Sequence, residues 1–100
     1  MKRATTPTHT FRFPTEYEGL IAKVLLTYSQ NGETILEKNL GQGYLENNVF
    51  TVTLTQEETN LFTAFKEVDV QIRAVTTNGT AVASDVYHIP CERVLNDEVL

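Results

Sequence analysis

Val68-Asp69-Val70-Gln71-Ile72-Arg73-Ala74-Val75, followed by Thr76-Thr77-Asn78-Gly79-Thr80 and then Ala81-Val82, spells a β-hairpin. Apolar and polar residues alternate from Glu67 to Ala74, the period of a strand with one face buried and one in water. The Asn78-Gly79 pair offers the two residues that most readily take positive φ, as a type I′ turn requires. Val68, Val70, Ile72 and Ala74 are thus expected to face a core, and Glu67, Asp69, Gln71 and Arg73 to face solvent.

The segments around this hairpin read in the same way. Thr8 to Phe13 forms a short strand with Phe11 and Phe13 on one face, and Pro14 ends it. A second strand runs from about Leu20 to Tyr28. It is apolar on both faces near its start, which marks it as central or covered. Ser29-Gln30-Asn31-Gly32-Glu33 is another hairpin signal, with Thr34 to Lys38 returning as its partner. Asn39 to Asn48 breaks regularity and carries at most a short edge segment. Val49 to Leu54 is a strand that points Phe50, Val52 and Leu54 inward.

The period then changes. Thr55-Gln56-Glu57-Glu58 is a capping box, in which the Thr hydroxyl accepts from the backbone three residues on and Glu58 reaches back. With Leu61, Phe62 and Phe65 at helical spacing, a short helix is expected over residues 56–65. A last strand occupies about Thr80 to Cys91, with a bulge near Ser84-Asp85 to reconcile its two parities. The sum is an all-β fold: an antiparallel β-sandwich, immunoglobulin-like in architecture, in one domain over residues 1–100. A single curled sheet or small barrel is the alternative. Residues 1–7 and 93–100 read as flexible tails, the latter as a frayed end, a short helix or a docking segment.

Composition bounds the function. The chain has 100 residues, 41% hydrophobic and 21% charged, which is ordinary for a folded globule. A net charge of −5 argues against a nucleic-acid partner. Cys91 is the single cysteine, so no disulfide forms within the chain. No apolar run approaches a membrane span, and the N-terminus lacks the apolar stretch of a signal peptide. A product made in the cytoplasm, or a virion component assembled there, fits these features.

Candidate chemistry is sparse. His9, His88 and Cys91 cannot form a metal or nucleophile site as strand neighbours, because His88 and Cys91 fall on opposite faces. Glu57 and Glu58 belong to a helix start, and Glu67 and Asp69 to a solvated strand face. Gly41-Gln42-Gly43 lacks the strand-loop-helix setting of a phosphate loop. Tyr17, Tyr44 and Tyr87 are the rings a sugar-binding surface would use. The expectation is therefore a protein that is not an enzyme, with no catalytic, cofactor-binding or metal residues and no cofactor.

Three segments carry a family resemblance: Arg3-Ala4-Thr5-Thr6-Pro7-Thr8-His9, Leu54-Thr55-Gln56-Glu57-Glu58-Thr59 and Val70-Gln71-Ile72-Arg73. With them the chain resembles small structural, tail-associated proteins of phages and prophages of Gram-positive bacteria, over nearly its whole length. The resemblance implies a structural or assembly role through protein contacts, with other phage structural proteins or a second copy as partner. A module binding host-surface carbohydrate or a protein ligand is the alternative.

Overall fold

The computed structural model describes all 100 residues. In chain order the elements are β1 (Thr8–Arg12), β2 (Ile21–Gln30), β3 (Glu33–Asn39), β4 (Tyr44–Glu46), β5 (Val49–Thr53), α1 (Gln56–Thr59), β6 (Val68–Thr76), β7 (Ala81–Ala83) and β8 (Tyr87–Ile89). All strand pairs are antiparallel. They build a narrow sheet in the order β1-β5-β4 and a wide sheet in the order β3-β2-β6-β7, where β8 also pairs with β6. The two-sheet sandwich read from the sequence is the observed architecture.

Alternation decides what each sheet buries. The wide sheet contributes Val24, Leu26, Tyr28, Val68, Val70, Ile72 and Ala74, and the narrow one Phe13, Phe50, Val52 and Leu54, to a single core. The opening hairpin keeps its predicted parity, since Arg73 is exposed where Ile72 and Ala74 are buried. β2 lies between β3 and β6, the central position its two-sided apolar start suggested.

The turns fall out differently from the simple rule. Asn31 (φ 52°) and Gly32 (φ 76°) are both left-handed and close a two-residue loop between Gln30 and Glu33, as in a type I′ turn. Asn47 (φ 51°) and Asn48 (φ 65°) do the same between Glu46 and Val49, inside a segment that looked irregular. At Asn78-Gly79 the expected type I′ turn is absent. Only Gly79 (φ 87°) is left-handed there, in a three-residue loop where its N–H donates to Thr76 C=O. The Thr76 hydroxyl takes the Thr80 N–H, and Thr77 N–H is bound by Leu20 C=O at 2.7 Å. Those bonds hold the longer loop.

The last strand is split as its parities required. Arg73 pairs with Ala83 and Val70 with Tyr87, so three steps along β6 match four along its partner. The extra residue lies in the Ser84–Val86 bulge. Val82, Tyr87 and Ile89 consequently face the narrow sheet, and His88 faces away.

The helix is much shorter than residues 56–65. Its capping box forms as read, with Thr55 Oγ1 accepting from Glu58 N–H and Glu58 Oε1 from Thr55 N–H, yet α1 ends at Thr59. Turn bonds from Asn60, Leu61 and Phe62 N–H to Gln56, Glu58 and Thr59 C=O follow it, and at Thr63 the backbone bonds to Gln30 instead of to itself. The buried Gln30 amide accepts from Thr63 N–H at 2.8 Å and donates to Thr63 C=O and Lys66 C=O. Phe65, at φ 67°, donates its N–H to Cys91 C=O and leaves its ring 80% exposed, so only Phe62 of the three apolar residues enters the core.

Both ends of the chain carry contacts. Lys2 bridges Glu92 in parallel. The terminal segment lies along α1, where the Gln56 side chain bonds both N–H and C=O of Leu100 and Asn60 Nδ2 donates to Asp97 C=O. The segment forms no helix, and these contacts are to this chain's own α1.

Gly43 fits where no side chain would: a Cβ there would overlap the Phe50 ring and lie 2.8 Å from Thr51 C=O. Gly43→Ala is expected to cost about 1–3 kcal/mol through overpacking. Gly41→Ala, whose Cβ would meet only Asn39 Oδ1 at 3.4 Å, is the matched control. Urea denaturation should lower the midpoint for the first and hardly move it for the second.

Candidate functional site

The sandwich is unequal. Four strand positions face three. A groove of about 890 Å³ lies between β1 and the β6-β7-β8 region. Val70, Ile72, Val82 and Ile89 line the wide-sheet side, and His9, Phe11 and Phe13 the β1 side. The Phe11 and Tyr87 rings face each other across it with centroids 6.4 Å apart. Charge is confined to Arg12, Glu16 and Asp85, and Tyr17 adds a second phenol.

His9 is half-buried among these apolar groups. Its Nδ1 lies 2.7 Å from the hydroxyl of Tyr28, which is fully buried in the opposite sheet. Burial holds the imidazole below the ordinary histidine value, and the N-terminal ammonium acts in the same direction. Burial also pushes the Tyr28 phenol well above its usual range, reinforced by the Glu58 charge. Both rings are therefore neutral at pH 7. The phenol has no other acceptor, so it donates to Nδ1 and the imidazole proton sits on Nε2.

Two further polar groups were hidden in the sequence. Lys38 is buried and its ammonium pairs with Glu58 Oε2, so one carboxylate both caps α1 and ties it to β3. Burial pushes the Glu58 carboxyl up, but the bonds from Lys38 and Thr55 outweigh it and hold it below the usual carboxylate value. On the outer face of the wide sheet, His88 Nδ1 lies 2.6 Å from Glu67 Oε1 and 2.7 Å from Asp69 Oδ1. Asp69 and His88 are direct cross-strand partners, and Glu67 shares their face. Glu67, Asp69 and His88 form the grouping whose ligand atoms come within 4.8 Å of one another, so they are the residues that could hold a cation. All three are open to solvent.

The remaining candidates fall apart in space. Cys91 is buried in the core, where burial pushes its thiol up, away from the thiolate a nucleophile needs. His88 lies on the opposite face. Tyr17 and Tyr87 both line the groove, whereas Tyr44 stands 61% exposed on β4, at the far edge of the narrow sheet. No helix is long and apolar enough to cross a membrane.

No family model matches the chain, and no curated protein is found similar to it.

The His9 environment has a measurable signature. Its folded-state pKa lies below its unfolded value, so the unfolded chain binds the proton more readily. Its contribution to stability is complete above about pH 6.5 and is lost as pH falls through the folded-state pKa. Urea midpoints between pH 7 and pH 5 should fall more steeply for the native chain than for His9→Gln. Equal slopes would remove His9 from the acid response.

Proposed function

We propose that the protein is a phage- or prophage-derived, immunoglobulin-like structural or assembly module that acts through protein–protein contacts and is not an enzyme. The observation that carries this reading is the groove beside β1, an apolar cleft with an aromatic wall and little charge. Such composition suits the buried centre of a protein contact. The His9 imidazole on the groove wall is committed to Tyr28 and is thus a poor general base. The sequence resemblance supports a virion setting, with other phage structural proteins as partners and neither nucleic acid nor membrane.

Genomic neighbourhood tests the setting: tail, baseplate or capsid genes alongside support it, and a metabolic operon sinks it. Co-expression with the adjacent gene products tests the surface. A complex should form on size exclusion, and Tyr87→Lys, at a half-exposed ring, should weaken it about tenfold or more, as loss of an aromatic anchor does. A complex indifferent to that change would place the contact elsewhere.

A second reading, carbohydrate binding, is favoured by one observation: Phe11, Tyr17 and Tyr87 share a groove with Arg12, Glu16 and Asp85. Rings beside hydrogen-bonding side chains are the ingredients of a sugar site. A glycan array followed by NMR titration should then shift Tyr17 and Tyr87 together and leave Tyr44 unmoved. An array without hits closes that reading.

A further inference from the structure

The four sheet edges are not alike. β3 carries Glu33, Glu37 and Lys38, β4 is three residues long, and the β7-β8 edge is interrupted by its bulge. Charge, shortness and bulging are the means by which proteins blunt edges against pairing. β1 has neither bulge nor a run of charge: it is five regular residues between Pro7 and Pro14, with one charge, Arg12, at its end.

Its unpaired groups can be assigned from the ladder. Leu54 N–H donates to Pro7 C=O and Phe13 N–H to Asn48 C=O, both in line with the β1–β5 register. In an antiparallel ladder the residues facing the neighbour alternate, so 7, 9, 11 and 13 bond to β5. The N–H and C=O groups of Thr8, Thr10 and Arg12 therefore point outward, to the side where the groove lies. A strand laid there would be the fourth of the narrow sheet, above β7 and β8. Its alternate side chains would drop onto Val82, Tyr87 and Ile89, which lie over the buried Val70 and Ile72.

We infer that β1 and the groove together accept one extended segment of a partner protein, added antiparallel or parallel to β1 as a missing fourth strand. This deepens the proposed protein-contact role and rests on it. The occupant is a lone strand and not a second copy pairing β1 to β1. A β1-to-β1 dimer would show as a dimer of the protein alone in sedimentation, and that result would overturn the choice of a lone strand. The segment is apolar at every second position, to match the floor, and basic toward its flank, because Glu16 and Asp85 outnumber Arg12 at the rim.

The test uses the full chain and a synthetic peptide, acetyl-Lys-Thr-Val-Thr-Val-Thr-Val-Lys-amide, followed by NMR and amide exchange. Peptide up to millimolar concentration should shift Val82, Tyr87 and Ile89 and slow the Thr8, Thr10 and Arg12 amides about tenfold or more. Thr10→Pro deletes the central outward N–H without touching the β5 ladder, and should abolish that protection. Tyr87→Lys, which leaves every strand pairing intact, should weaken the peptide as well and serves if Thr10→Pro does not fold. Protection confined to β3, or none at Thr8, Thr10 and Arg12, overturns strand addition. If the peptide fails while Tyr87→Lys still breaks the complex with a neighbouring gene product, the groove remains a contact surface and only the strand mode falls. If neither responds, both readings fall.

Discussion

The ladder between β2 and β6 is the constraint on which the rest of the molecule depends. Its register, Val24 opposite Ala74, Leu26 opposite Ile72 and Tyr28 opposite Val70, stacks the wide sheet's inward side chains in one layer. A slip of one residue would turn that layer to solvent. β3 and the β7-β8 edge hang on this pair, and the narrow sheet is positioned by what it covers. The Tyr28 hydroxyl meeting His9 across the core, and the Tyr28 ring meeting Phe62 edge-on at 6.0 Å, fix where that covering sits.

The groove follows from arithmetic more than from any special residue. Four strand positions face three, and the groove lies beside β1. Its floor is apolar because Val82, Tyr87 and Ile89 turn inward over Val70 and Ile72, members of the alternating run that builds the core. The groove therefore arises from an unfinished layer, with Tyr87 turned into it by the bulge at Ser84–Val86.

Much of the fold was legible because period-2 alternation is a local property. Val68 to Ala74 and Val49 to Leu54 needed nothing beyond their own spacing, and the capping box was visible as Thr55 and Glu58. What failed was decided by distant partners. The helix stops at Thr59 because Gln30, some thirty residues earlier, satisfies the backbone at Thr63 and Lys66. The Asn78-Gly79 turn lengthens because Leu20 and the Thr76 hydroxyl claim its N–H groups. The candidate site was less legible still. Glu67, Asp69 and His88 meet only once the β6–β8 register is known, and the groove depends on the number of strands in each sheet. A parity count carried through the bulge would have placed His88 beside Asp69.

Gln30 has a consequence for cooperativity. One buried amide bonds three backbone groups of the segment between α1 and β6, and it sits at the end of β2, the strand most embedded in the wide sheet. The segment thus cannot open without exposing an unpaired amide in the interior, which is costly. Its fluctuations are coupled to those of the sheet, so a stretch lacking helix or strand exchanges its hydrogens and unfolds as part of the core's own cooperative unit. Irregular backbone here is rigid backbone.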